Sequence, residues 1–151
     1  MLTQTNKETV RRFLSTAIEP HDPGAADDVL ATDYTVHMVG MPEPVRGRDP
    51  WKELIGSYFR AFPDLAVEIE DEVDEDDRVP MRLVWSGTHR AEFLGVPATG
   101  RCVRVQSSVF FRVVDGQVAT EWHQDDLLGL LQQLGSAPSA APASAAAPVP
   151  R

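Results

Sequence analysis

Residues 102–124 constrain the fold most sharply. Cys102 to Val114 is a long run rich in β-branched and aromatic residues, Asp115-Gly116 is a hairpin-turn pair, and Gln117 to Gln124 is a further strand. Two more strand-like runs precede them. Leu65 to Val73 alternates apolar and acidic residues. Val79 to His89 places Met81, Leu83 and Trp85 on one face and Arg82, Val84 and Ser86 on the other. Consecutive strands joined by short turns predict an antiparallel sheet.

The first half supplies helices to cover that sheet. Thr5-Asn6-Lys7-Glu8 is a capping box, followed by Val10, Phe13, Leu14, Ala17 and Ile18 at helical spacing and a stop at Pro20. Asp22-Pro23 starts a short second helix that ends near Leu30, and Tyr34 to Val39 reads as a strand. After the Pro- and Gly-rich loop 40–48, Asp49-Pro50 starts a third helix whose apolar stripe is Trp51, Leu54, Ile55, Tyr58 and Phe62. A last short helix lies between Asp125 and Leu134, with Gly135 as its stop. The expected class is α+β. A curved sheet wrapped by helices gives a cone with a cavity; a flat two-layer sandwich without one fits the same pattern.

Residues 136–151, SAPSAAPASAAAPVPR, cannot bury enough apolar surface to offset ordering, so the domain is expected over 1–135 with a disordered tail after it. One cysteine, Cys102, excludes an internal disulfide and any multi-cysteine zinc site; it is expected to be a small buried hydrophobe. No secretory signal or bilayer-length apolar stretch is visible, and a cytoplasmic location follows by default. Of the 23 acidic residues, nine fall within 64–77, which holds no Lys or Arg; the other 14 match the 14 Lys and Arg of the whole chain. This local ridge disfavours nucleic-acid binding and suits a solvated edge strand.

Four segments carry a family resemblance. Ala61-Phe62-Pro63-Asp64-Leu65 resembles the FPD turn after the third helix of SnoaL-like proteins. Gly87 to Gly100, GTHRAEFLGVPATG, resembles that family's GTHRGEFLGIPPTG segment. Val109 to Gly116 resembles the strand and turn that follow. Glu121-Trp122, Asp126, Leu127, Gly129 and Leu130 to Gly135 resemble its C-terminal signature. Over roughly residues 5–135 the chain is thus similar to the small bacterial polyketide cyclases of the SnoaL-like (NTF2-like) superfamily. The resemblance implies a cone with an internal pocket wrapped by three helices, a homodimer, no cofactor, and a small apolar substrate. It also implies closure of a ring in a polyketide-type intermediate by intramolecular aldol condensation, with one carboxylate as acid/base. That carboxylate maps to Asp126. Related proteins act as hydroxylase components or epoxide hydrolases, and a non-catalytic binding protein is a further alternative.

Aldol closure needs a base for an already acidic C–H and stabilisation of the resulting oxyanion. If the last strand alternates, Trp122, Gln124 and Asp126 share one face and Glu121, His123 and Asp125 the other. Asp125 is read as the helix cap, which leaves Asp126 for the pocket. His37 and His89 are candidate donors to a substrate carbonyl, and His123 is a possible second acid/base. His21 is expected in an exposed turn. Trp85, Trp122, Phe62, Phe110 and Tyr58 are candidate pocket walls. Arg82 and Arg104 are read as surface charges, and Ser107-Ser108 as small hydroxyls that widen a pocket or change its polarity. The histidine spacing forms no metal-binding motif.

Overall fold

The N-terminal capping box forms as expected: the Thr5 hydroxyl accepts from the Glu8 backbone N–H, and a Glu8 carboxylate oxygen accepts from the Thr5 N–H. The computed structural model describes residues 5–138. Helix α1 spans Asn6–Phe13 and continues as a π-helical turn, Leu14–Ile18. Its stripe of Val10, Phe13, Leu14, Ala17 and Ile18 is buried. A 3-10 turn over Pro23–Asp28 stands where a short second helix is expected. Then follow β1 (Leu30–Met38), β2 (Val45–Arg46), α2 (Arg48–Ala61), β3 (Ala66–Glu72), β4 (Arg78–Thr88), β5 (Cys102–Val114), β6 (Gln117–Asp125) and α3 (Leu127–Gln133). Most of the sequence-predicted tail, residues 139–151, lies outside the described residues.

The six strands form one sheet in the order β2-β1-β6-β5-β4-β3. All neighbours are antiparallel except β1 and β6, which pair in parallel because the chain crosses over through α2 between them. Irregularities interrupt β1/β6, β3/β4 and β5/β6, and such bulges raise the local twist and bend the sheet. The sheet curves around α1 and α2, and the enclosed side forms the core. There Phe13 packs against Trp51 at 5.5 Å and Phe111 at 6.2 Å between ring centroids.

The acidic ridge lies on the edge strand β3 and the turn after it, and part of it holds α1 in place. The Asp74 carboxylate accepts from the Lys7 N–H at 3.1 Å, Arg11 pairs with Glu72, and the Asn6 amide donates to the Asp76 carbonyl. A carboxylate at a helix N-terminus is favoured by the helix dipole.

Two of the segments that carry the resemblance meet in space. In the Phe62-Pro63-Asp64 turn, the Asp64 carboxylate accepts from the Thr88 backbone N–H at 2.6 Å and its hydroxyl at 2.7 Å. These bonds hold its carboxyl below the usual range. The Arg90 N–H donates to the Ala61 carbonyl. Gln133 on α3 holds both the N–H and the carbonyl of Arg104 at 2.8 Å, in place of a strand partner beyond the end of β6.

Candidate active site

Between α1, α2 and the concave face of the sheet lies a cavity of about 80 Å³. Its walls are apolar: Phe13, Leu14, Trp51, Leu54, Leu83 and Phe111 among others. Polar groups gather at one end, and most come from β6. Glu121, His123 and Asp125 sit at alternate positions, so a single strand projects all three inward.

Asp125 is the centre of this group, with its side chain only 1% exposed. Its Oδ1 accepts from the Trp85 indole N–H at 3.2 Å and from His123 Nε2 at 2.9 Å, and also from the Ser107 hydroxyl. Its Oδ2 accepts from the Tyr58 hydroxyl at 3.2 Å. Burial would raise the pKa of such a carboxyl, but the His123 ring and the Ser107 and Trp85 donors outweigh it and lower it. His123 Nδ1 lies 2.7 Å from Glu121 Oε1, and the Tyr34 hydroxyl donates to Glu121 Oε2. Burial would lower the pKa of His123. Hydrogen bonds and charge from Asp125 and Glu121 prevail and raise it to about 10. The ring is an imidazolium at neutral pH. Burial, and then the Asp125 charge, raise the pKa of Tyr58, so its hydroxyl stays a neutral donor. Buried charges persist only when paired, and this row of Tyr34, Glu121, His123 and Asp125 pairs every one.

The sequence-predicted residues fall into three sets. Trp85, Tyr58 and His123 line the cavity. Phe62 and His89 lie outside it. Phe62 is fully buried against Trp85, Phe93 and His89. His89, with no exposed surface, is held at Nδ1 by the Thr99 backbone N–H (3.2 Å) and the Thr99 hydroxyl (3.0 Å). His37, Trp122 and Phe110 are on the opposite, outer face of the sheet: His37 stacks on Trp122 at 5.7 Å, and Phe110 is 51% exposed.

Asp126 is the principal correction. It is exposed and caps α3, accepting from the Gly129 N–H at 2.9 Å. Gly129 accommodates this cap, because a Cβ there would stand 2.2 Å from an Asp126 carboxylate oxygen. The capping and pocket roles expected of Asp125 and Asp126 are therefore exchanged. Cys102 is exposed rather than buried. His21 is half-buried, stacks on Phe59 at 4.2 Å, and bonds the Leu65 carbonyl through Nε2. Arg82 and Arg104 face outward as expected, beside Asp71 and Glu68.

Sequence reasoning missed Asp125 and Glu121 as pocket groups. Of the two hydroxyls read as altering a pocket, Ser107 lines it and Ser108 is exposed, and the β5 alternation separates them: Val103, Val105, Val109, Phe111 and Val113 share one apolar face, and Ser107 sits in the same phase. Among the described residues no group of three or more His, Cys, Asp or Glu could hold a metal ion. No helix among them is long and apolar enough to cross a membrane.

A family model described as SnoaL-like polyketide cyclase matches residues 8–134. The chain belongs to the SnoaL-like polyketide cyclase family. Its curated relatives include the aklanonic acid methyl ester cyclase DnrD of Streptomyces peucetius, 28% identical over 137 residues, 87% of this chain and 91% of that protein. Two solved structures share the fold. One is a candidate SnoaL-like polyketide cyclase from Jannaschia sp. CCS1, with TM-score 0.81 and 25% identity over 92% of this chain and all of that one. The other is IdmH of Streptomyces antibioticus, a candidate polyketide cyclase, with TM-score 0.77 and 30% identity over 87% of this chain and 99% of that one. With this SnoaL-like membership, the fold is an α+β, NTF2-like cone.

Proposed function

We propose that this protein closes a ring in a polyketide-type intermediate by intramolecular aldol condensation, with Asp125 rather than Asp126 as the acid/base. One observation carries the reading: a buried, ionised carboxylate at the polar end of an otherwise apolar pocket. Membership of a polyketide cyclase family, with a curated relative named as an aklanonic acid methyl ester cyclase, supports the reaction class.

The hydrogen bonds divide the work between the two oxygens of Asp125. Oδ1 is occupied by Trp85, Ser107 and His123, whereas Oδ2 meets only Tyr58 and has a lone pair left for a proton. A carboxylate of lowered pKa is a weak base, so the C–H it attacks must already be acidic, as it is between two carbonyls. Oδ2 takes that proton. The resulting enolate carbon bonds to a ketone carbon elsewhere in the same chain, and the ketone oxygen becomes an alkoxide. The proton on Oδ2 then passes to that alkoxide, which restores the carboxylate. Atoms balance as an isomerisation, with no redox partner. The Tyr58 hydroxyl donates to Oδ2, so it turns to the developing oxyanion only once the proton taken up by Oδ2 has removed the charge that held it. Apolar walls exclude water, which strengthens these contacts.

An epoxide hydrolase gripping water between two acids and an arginine is disfavoured. Glu121 supplies a second inward acid, but Arg82 and Arg104 lie on the outer face.

The test is product analysis by liquid chromatography and NMR with poly-β-ketone esters as substrates. Asp125→Asn is expected to lower kcat by about 10²-fold or more. Asp126→Asn keeps a competent cap and is expected to turn over like wild type. Equal turnover by wild type and Asp125→Asn rejects the mechanism.

A further inference from the structure

We propose that Glu121 is a positioning residue for this acid/base centre: anchored by Tyr34, it fixes the His123 ring and holds it doubly protonated against Asp125. The inference rests on the cyclase reading for its kinetic consequence, but its geometric core stands apart from it.

The argument begins with proton counting. A neutral imidazole carries one N–H, and its other nitrogen is an acceptor. His123 faces a carboxylate oxygen from each nitrogen, Glu121 Oε1 at 2.7 Å and Asp125 Oδ1 at 2.9 Å. Carboxylates offer only lone pairs, so both contacts are hydrogen bonds only if the ring bears both protons. Removing either acid leaves a single acceptor, and a neutral tautomer then suffices. Glu121 thus determines the charge state of the ring beside Asp125.

Glu121 is itself held. Its side chain is 9% exposed, and its second oxygen is taken by the hydroxyl of Tyr34, a residue with no exposed surface. Tyr34 does not line the cavity; it reaches the charged row through Glu121 and packs edge-on against the lining Trp51 at 6.1 Å. Burial, and then the Glu121 charge, push the pKa of Tyr34 up, so the hydroxyl remains a donor across the working range. The chain of contacts thus runs from β1 through Glu121 and His123 to Asp125.

Few other groups bear on His123. From β6 come Glu121 and Asp125. From α2 comes Tyr58, bonded to Asp125, and from β1 Tyr34, behind Glu121. From β5 comes Ser107, which does not titrate in the accessible range. The cavity lining from α1 and β4 is apolar apart from the Trp85 indole, and no Lys or Arg lines it. The charge of His123 therefore depends on the two acids.

The experiment uses the full chain carrying Glu121→Gln, a change that preserves shape and one acceptor. The His123 ring is followed by NMR titration, and kcat and KM are measured across pH. Loss of the Glu121 charge is expected to move the His123 titration, and the alkaline limb of kcat, down by about one pH unit or more. KM should change little while kcat falls. Tyr34→Phe, which removes the donor to the second Glu121 oxygen and leaves that side chain loosely held, should shift both in the same direction by less. An unchanged His123 titration in folded Glu121→Gln overturns the proposal. If Glu121→Gln does not fold, Tyr34→Phe decides: a wild-type titration there rejects the anchoring. The titration needs no turnover, so it stays informative if Asp125→Asn proves fully active and the cyclase reading falls.

Discussion

Asp125 and Asp126 are consecutive carboxylates with opposite surroundings. Asp125 is enclosed and receives four donors from four parts of the fold, whereas Asp126 is exposed and closes the first turn of α3. Composition treats them alike, because either aspartate can cap a helix. Strand phase separates them: Asp125 continues the inward set of β6, whereas Asp126 follows the end of the strand and meets the free N–H of Gly129. Asp126→Ala is therefore expected to cost about 1 kcal/mol of stability, read by denaturant unfolding, with little change in turnover. An Asp126→Ala protein that is fully stable but inactive would reverse the assignment of the two residues. Five of the histidine and aromatic candidates, His37, His89, Trp122, Phe62 and Phe110, were misplaced for a related reason. Their chemistry suits a pocket, but strand face and burial decide whether it meets one.

The elements themselves were largely legible. The capping box, the alternation of β4 and β5, and the Asp115-Gly116 turn each follow from local chemistry, and each forms. The meeting of the Phe62-Pro63-Asp64 turn with β4 was not legible, because it joins segments through contacts that carry no sequence period. Gly87 is the tight point of that junction. A Cβ there would stand 2.9 Å from Phe62 Cβ and 3.3 Å from the Asp64 carboxylate. Gly87→Ala is expected to destabilise by about 1–3 kcal/mol through overpacking, measured by urea denaturation. Because Phe62 backs Trp85, which donates to Asp125, activity should fall as well. An unchanged unfolding midpoint would show that the turn gives way freely.

For the molecule as a whole, the buried charged row ties stability to pH. The folded His123 pKa, raised to about 10, exceeds its ordinary 6.5. Its stabilising contribution is full below pH 6.5 and is lost as pH rises through 10. Asp125 has the opposite sign: its lowered pKa gives stability that is present above the ordinary 3.8 and lost as pH falls through the folded value. Thermal unfolding followed by circular dichroism should therefore show Tm falling between about pH 6.5 and 10, with the slope much reduced in His123→Gln. A Tm that stays flat across that range in wild type would mean that the row is not charged as described. The sequence alone determined the helix stripes, the strand alternation, the acidic edge and the family, because each is a local pattern of residue types. Only the tertiary structure decided which face of β6 looks inward. Between Arg112↔Thr120 and Val113↔Val118 the β5/β6 register slips by one residue, with Ala119 as the extra one. A slip of one exchanges the two faces of a strand. An unbroken hairpin would have turned Trp122, Gln124 and Asp126 toward the core. The bulge turns Glu121, His123 and Asp125 there instead, because a strand's side chains alternate strictly and a single inserted residue reverses their phase.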